Sequence, residues 1–320
     1  MERIDKIVQK FRRSGIRNIL ENIPLSTQSS WRIGGPADLL VEPEGVKQVA
    51  DTILILTELE VPYVVIGNGT NLLFDDGGLR GVIVKIAGAF SYILIDGLNV
   101  IGGAGVPVCR LARRVGDIGL TGIEHIVGIP GTLGGLVVMN GGSQRQSISD
   151  VVVDVTVVKL NGQSVKVPSR YCDFSYRSSS FQESKDIVVE VSLKLQRGDI
   201  DDIHRRMLEI LRNRRNKFPG REPNCGSVFL SDPTTYKEIG PPGKMIEEAG
   251  CKGWSVGDAQ VSAKHANFIV NLGHASSKDV IELIGKVRQE VYEQVGVWLQ
   301  CEIKCITVSG ETVRLDQFGN

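Results

Sequence analysis

The residues most suggestive of chemistry lie in glycine-rich loops. At Val65-Ile-Gly67-Asn68-Gly69-Thr70-Asn71-Leu72-Leu73 an apolar run enters glycines mixed with side chains that carry hydrogen-bonding oxygens. Successive backbone N–H groups in such a turn form a nest for an anion such as pyrophosphate. The loop is not a dinucleotide fingerprint, because no third glycine opens a helix and the next segment returns to strand. No Gly-Lys-Ser/Thr occurs anywhere, which excludes a Walker A loop. A second run, Gly128-Ile129-Pro-Gly131-Thr132-Leu-Gly134-Gly135 continuing to Asn140-Gly-Gly142, would let backbone lie against a flat ring or a phosphate. A third is Ser29-Ser-Trp-Arg32-Ile-Gly34-Gly35-Pro36. Tight turns are the plainer use of any one of them. Together the three read as loops that converge on one large, charged cofactor.

The elements that must position these loops follow from pattern and composition. Glycine is in excess, 37 of 320 residues, where roughly 7% is usual. Hydrophobic residues at 42% and charged residues at 23% describe an ordinary globular chain of about two domains. Thirty-seven basic against 37 acidic residues leave no charge footprint for nucleic acid or an anionic membrane. Six cysteines form no CxxC pair and, with four histidines, no cluster at metal spacing, so reduced thiols and no metal are expected. No apolar run reaches the ~18 residues of a membrane span and no secretory signal opens the chain, so a soluble, cytoplasmic protein is expected. At the N-terminus Ile4, Ile7, Val8 and Phe11 share one helical stripe, which reads as a packing helix rather than an organelle address.

From about residue 38 to 197 short β-branched runs predominate. Val61–Gly67, Val82–Ile86, Tyr92–Ile101, Asp150–Val158, Ser164–Val167 and Ile187–Leu195 read as strands, Pro107–Leu120 as a helix, and Asn161-Gly162 as a type I′ hairpin turn. Composition shifts at Gln196-Arg-Gly-Asp199. A charged helix from Ile200 to Lys217 follows, and Ser276-Ser-Lys-Asp279 has the form of a capping box before Val280, Ile284, Val287, Val291 and Val295. In the strand Val297–Ile306, one face carries Val297, Leu299, Cys301, Ile303 and Cys305. Glu302 lies on the other face, with Trp298, Gln300 and Lys304, on the side where a cleft is expected. The class is α+β, with a boundary near 196–202.

Seven motifs in order resemble the UDP-N-acetylenolpyruvoylglucosamine reductases, flavoenzymes that complete UDP-N-acetylmuramate for peptidoglycan. They are Trp31-Arg-Ile-Gly-Gly-Pro-Ala37, Gly67-Asn-Gly-Thr-Asn-Leu72, Gly128-Ile-Pro-Gly-Thr-Leu-Gly-Gly135, Tyr176-Arg177-Ser-Ser-Ser-Phe181, Gly226-Ser227-Val-Phe229, the segment from Gly257 to Asn271, and Leu299-Gln-Cys-Glu302. The short span from Tyr176 to Ser227 is similar to the family's compact second type. The resemblance implies an N-terminal helical segment (1–28), an FAD-binding domain of the p-cresol-methylhydroxylase type (29–197) and a smaller α+β substrate-binding domain (198–320). It implies non-covalent FAD held at Arg32, Gly34, Gly67, Asn68, Gly69, Thr70, Asn71, Gly128, Ile129, Gly131, Thr132, Gly134 and Asn140. NADPH is implied as hydride donor, and a small sugar nucleotide as substrate.

The chemistry explains the residue types that the resemblance assigns. Hydride can add to the terminal carbon of an enolpyruvyl ether only if the carboxylate carries the resulting enolate-like charge. A guanidinium grips a carboxylate in a bidentate fork, and Arg177 matches the family's residue for this. A proton must then reach the neighbouring carbon, and Ser227 matches the donor. Glu302 completes the catalytic set. A surface salt bridge, an ordinary turn serine and a solvated strand charge are the alternatives for the three. Tyr176, Lys217 and Lys244 are weaker candidates for substrate contacts. His265 is assigned no catalytic role, and Cys225 is read as packing. Two departures bear on the nucleotide end of the substrate. Asn140-Gly-Gly-Ser143-Gln144-Arg145 stands where the family usually has Asn-Ala-Gly-Ala-Tyr-Gly, and Phe229-Leu-Ser-Asp-Pro233 where Phe-Lys-Asn-Pro is usual. The rival readings are a paralogue acting on another enolpyruvyl ether and a flavin- or sugar-nucleotide-binding protein without turnover.

Overall fold

The computed structural model describes residues 2–231 and 239–317. The chain divides into two compact units, each assembled from separate stretches. The first comprises Met1–Glu21, Leu39–Asn68 and Val82–Arg214; the second comprises Asn22–Asp38, Gly69–Gly81 and Arg215–Asn320. Helices and strands mix in both, an α+β architecture.

In the first unit, helix Glu2–Arg13 buries the stripe its sequence prescribes. Phe11 is fully buried, Ile7 and Val8 nearly so, and the helix packs on helix Val46–Glu58 and its buried Val49, Ile53 and Leu56. Strand Tyr63–Ile66 runs parallel to the end of strand Leu79–Lys85, with Tyr63 opposite Val82. The larger sheet is antiparallel, in the order Ser164–Pro168, Val152–Val158, Ile187–Lys194, Asn99–Gly103, Ile93–Asp96. Its central pairs, Val157 opposite Val188 and Val155 opposite Val191, are buried, as β-branched side chains on a covered sheet face should be. The short helix Leu133–Val138 lies on this sheet and carries the second glycine loop at its start.

Two expected elements differ in this unit. Tyr92–Ile101 is not one strand but a hairpin of Ile93–Asp96 and Asn99–Gly103, turned at Gly97 with φ +58°. The Asp96-Gly97 pair is a hairpin signal within an otherwise β-branched run. The hairpin after Val158 forms, but not with a type I′ turn. Gly162 alone is left-handed (φ +79°), its N–H donates to Lys159 O, and Lys159 N–H donates to Gln163 O, which makes a longer loop. The helix expected over 107–120 ends at Gly116, because Gly119 (φ +73°) turns the chain into strand Leu120–Thr121. Helix Ile200–Lys217 has the expected bounds and buries Ile203, Met207 and Ile210. A Cβ on Gly116 would lie 2.2 Å from Met207 Cε, so the helix packs close against this glycine.

In the second unit, helix Ser277–Val295 buries Val280, Leu283, Ile284, Val287 and Val291 and is opened by the expected box of Ser276 and Asp279. It packs against helix Pro242–Glu248 and the small sheet of Ser255–Val256, Ala259–Val261 and Ile269–Asn271. A second small sheet sets Lys304–Ile306 antiparallel to Thr312–Arg314 and parallel to Leu72–Phe74. The strand expected over 297–306 is therefore a ladder only from Lys304. The alternation it rested on holds: Leu299, Cys301, Ile303 and Cys305 are buried, while Glu302 and Lys304 are half-buried. No helix among the described residues is long and apolar enough to cross a membrane.

Phe11→Ala tests whether the first helix is a structural part of its unit. Truncating a fully buried phenylalanine should cost about 3–5 kcal/mol in urea unfolding followed by circular dichroism. A loss under about 1 kcal/mol would mean the helix is not docked.

Candidate active site

The second unit gathers three of the sequence motifs into one hydrogen-bonded cluster. Ser30 N–H donates to Gly69 O at 3.3 Å, and Ser29 Oγ to Leu72 O at 3.4 Å. Ser30 Oγ and Cys225 Sγ are 3.3 Å apart, and Cys225 Sγ also reaches Leu72 O at 3.4 Å. Asn71 Nδ2 donates to Glu302 O, and Lys304 N–H to Asn71 O, each at 3.3 Å. Gly69 (φ +59°) has to be glycine, since a Cβ there would lie 1.9 Å from Gln28 O. The loop at 29–32, the turn at 69–72, Cys225 and Glu302 are thus tied to one another.

Ser227 and Glu302 stand on adjacent segments of this cluster. Glu302 N–H donates to Val228 O at 2.8 Å, Leu230 N–H donates to Gln300 O at 2.9 Å, and Phe229 bridges to Cys301. On the opposite edge Val228 N–H donates to Asn267 O at 2.9 Å. Asn267 then sets its carboxamide against Phe229, accepting from its N–H and donating to its O, both at 2.9 Å. Asn271, four residues on, donates to Trp31 O at 2.9 Å, while Trp31 Nε1 donates to Ile269 O at 2.8 Å. These asparagines belong to a motif quoted from the sequence without roles. Their partners are remote in the chain, which no local pattern announces.

Cys225 is buried, and burial pushes its thiol up to about 11. It stays protonated and inert beside Ser227, in keeping with packing rather than nucleophilic chemistry. Lys304, two residues past Glu302, is held below the usual ammonium range by burial and by Arg314. His265 is likewise lowered by burial and packs edge-on against Phe218 and Phe268, a structural setting. Lys244 is exposed and bonds Ile239 O at 3.3 Å, with Glu248 at 3.7 Å. Lys217 is exposed at its helix end, and neither lysine is drawn into the Ser227 cluster by a described contact. Arg32 is exposed between buried Trp31 and Ile33, at φ +58°. Of the departure after Phe229, Asp232 and Pro233 lie outside the described residues.

The first unit holds Arg177 and the other glycine loops. Tyr176 and Arg177 form a two-residue turn closed by reciprocal Ser175–Ser178 bonds at 3.1 Å, and Arg177 sits at φ +54°. A left-handed arginine costs on the order of 1 kcal/mol, so the surroundings must impose it. Asn140 Nδ2 donates to Ser175 O at 2.9 Å, and Gln182 Nε2 donates to both Arg177 O and Val138 O at 3.0 Å. Arg177 Nη2 donates to Gly142 O at 3.1 Å, and its guanidinium lies over the half-exposed Tyr176 ring. Asn140, expected at the cofactor, thus directs its carboxamide to Ser175 and, as acceptor, to Ser149. In the loop that departs from the family pattern, Gln144 (φ +55°) and Arg145 (φ +64°) are both left-handed. Arg145 therefore adopts, where the pattern has glycine, a conformation that glycine takes freely.

Within this unit Gly67 touches Thr132 so closely that a Cβ would lie 2.2 Å from Thr132 Oγ1. Two of the expected cofactor loops therefore meet backbone to side chain. Beside the second lies Arg214, which the sequence reading passed over; a Cβ on Gly128 would lie 2.3 Å from its Cδ. Burial holds Arg214 below its usual value, so it is a partly desolvated cation against a glycine loop. Bare backbone, a capping threonine and a guanidinium suit a group with a flat ring and a diphosphate, and these residues fit FAD.

The model described as "FAD binding domain" matches residues 37–168, and that described as "UDP-N-acetylenolpyruvoylglucosamine reductase, C-terminal domain" matches residues 218–306. UDP-N-acetylenolpyruvoylglucosamine reductase 1 of Corynebacterium glutamicum is 43% identical over 289 residues, 90% of this chain and 86% of its own. The reductase of Heliobacterium modesticaldum is 41% identical over 294 residues, 92% of each chain. The crystal structure of the reductase from Thermus caldophilus superposes with a TM-score of 0.76 at 33% identity, covering 88% of this chain and 97% of that one. Similarity of this extent across both units means that the chain belongs to the UDP-N-acetylenolpyruvoylglucosamine reductase family.

Proposed function

We propose that this protein reduces the enolpyruvyl double bond of UDP-N-acetylglucosamine enolpyruvate to give UDP-N-acetylmuramate, a peptidoglycan precursor. FAD is its non-covalent cofactor and NADPH the hydride donor. The observation that carries the reading is the pairing of the Ser227 segment with the Glu302 segment in a chain of this family. The reaction is placed in the cytoplasm on its reactants, a nucleoside-diphosphate sugar and NADPH, and its product ties it to cell shape and division.

Bound FAD supplies the hydride. Arg177 grips the substrate carboxylate and holds the negative charge that develops there, a task for which its permanent charge and planar fork suit it. Its bond to Gly142 O and the Tyr176 ring fix the guanidinium before substrate arrives, which limits reorganisation at the moment of reaction. Ser227 delivers the proton to the carbon next to the carboxylate, and Glu302 orients the intermediate from the neighbouring segment. Tyr176, Lys217 and Lys244 are the weaker candidates for holding the sugar nucleotide.

The purified protein should be yellow, and denaturation should release FAD, since the three glycine loops contain no His, Cys or Tyr for covalent attachment. Chromatography of the released flavin checks this; FMN, or flavin retained on the denatured chain, would contradict it. Arg177→Lys keeps the charge but loses the fork. It should retain flavin and NADPH oxidation while substrate reduction falls by about 10²-fold or more. Near-normal reduction would remove Arg177 from the mechanism. Ser227→Ala should still let NADPH bleach the flavin, while reoxidation by substrate drops ~10²–10⁴-fold. Ser227→Cys should recover part of the rate. Equal single-turnover rates for wild type and Ser227→Ala would show that Ser227 is not the donor.

A further inference from the structure

Every backbone polar group from Val228 N to Leu230 N is engaged, and one residue makes three of the five bonds. Asn267 accepts from Val228 N–H through its own carbonyl, and its carboxamide pairs with both the N–H and the C=O of Phe229. The Glu302 side supplies the other two, to Val228 O and from Leu230 N–H. Asn267 is 4% exposed, Phe229 2% and Val228 fully buried, so no water can replace the carboxamide without rearrangement. The backbone cannot do this work at 267, because the chain turns there: Phe268 N–H donates to His265 O, and strand Ile269–Asn271 begins only afterwards. The side chain thus acts as a one-residue strand edge.

On the N-terminal side of Ser227 the chain is tied at Cys225, whose Sγ meets Ser30 Oγ and Leu72 O, and Gly226 N–H donates to Asn224 Oδ1 at 3.0 Å. Gly226 is left-handed (φ +82°), and a Cβ there would meet nothing within 4 Å. Ser227 therefore stands between a left-handed glycine and the Asn267 clamp. We propose that Asn267 is a positioning residue for proton delivery: its carboxamide fixes Val228–Phe229 and so places the Ser227 hydroxyl beside the Glu302 segment. The proposal rests on the reading of Ser227 as the proton donor. Loss of the carboxamide would leave two buried polar groups of Phe229 unpaired, and the segment would shift to satisfy them, carrying Ser227 with it.

The test is a double-mutant cycle on the FAD-loaded protein, read by single-turnover flavin reoxidation at saturating substrate. Asn267→Ala should slow reoxidation ~10–100-fold, the scale of a misplacement near 1 Å. Flavin content and the rate of reduction by NADPH should stay within about twofold of wild type. In the Ser227→Ala background, Asn267→Ala should add less than about twofold, because there is no longer a hydroxyl to misplace. Asn267→Asp, which keeps the acceptor for Phe229 N–H and loses the donor, should fall between Ala and wild type. Equal slowing by Asn267→Ala in both backgrounds would make its role structural and overturn the inference while leaving Ser227 as donor. A wild-type rate in Ser227→Ala alone would overturn the donor reading itself. Failure of both Ala and Asp variants to fold with flavin would also assign Asn267 a structural role and overturn the proposal.

Discussion

A backbone that must lie bare against a ligand cannot also be paired in a regular ladder, and its buried polar groups still require partners. Leaving one unpaired costs roughly 1–3 kcal/mol, so a fold built on several glycine loops needs side chains that imitate backbone. In this protein carboxamides supply them. Asn140 and Gln182 tie the turn that carries Arg177, Asn267 ties the segment that carries Ser227, and Asn271 ties the loop that carries Trp31 and Arg32. A carboxamide offers one donor end and one acceptor end on a short stem, matching the two polar groups of a peptide unit. The residues proposed for catalysis are thereby set on irregular chain that is nonetheless held fast.

Part of the backbone strain falls in the same places. Arg177, Arg32, Gln144 and Arg145 are all left-handed without being glycine. At Arg177 the strain is held by reciprocal Ser175–Ser178 bonds and the Gln182 contact, and it serves to present a guanidinium at the tip of a turn. At Arg145 no such gain is evident, since it occupies a position the family pattern gives to glycine. The close approaches work in the opposite direction. Gly67 and Gly69 are glycine because Thr132 and Gln28 leave no room for a Cβ, which brings loop atoms together without a side chain between them.

Where a rule is local, the sequence was legible. The stripe ending at Phe11, the bounds of helix Ile200–Lys217 and the Ser276–Asp279 box follow from helical period and capping, and the structure shows each of them. The alternation through Glu302 was also readable, although hydrogen-bond pairing decided that only Lys304–Ile306 became a ladder. The hairpin at Gly97 was missed because β-branched residues continue through it on both sides. Asn267 and Arg214 escaped for a different reason. Their roles depend on partners 38 or more residues away (Phe229 for one, Gly128 for the other), and neither type announces such a partner. The discontinuous make-up of the two units is equally a long-range property, since only one clear shift in composition marks the chain.

The central claim is the identity of the reaction, and anaerobic reoxidation of the NADPH-reduced protein tests it most directly. UDP-N-acetylglucosamine enolpyruvate, the same enolpyruvyl sugar without the nucleotide, and an unrelated enolpyruvyl ether are each mixed with the reduced protein while flavin absorbance is followed. The account predicts rapid, stoichiometric return of the oxidised flavin spectrum with the UDP-linked compound and formation of UDP-N-acetylmuramate. Bleached flavin that persists with that compound, or that is reoxidised faster by another ether, would contradict it.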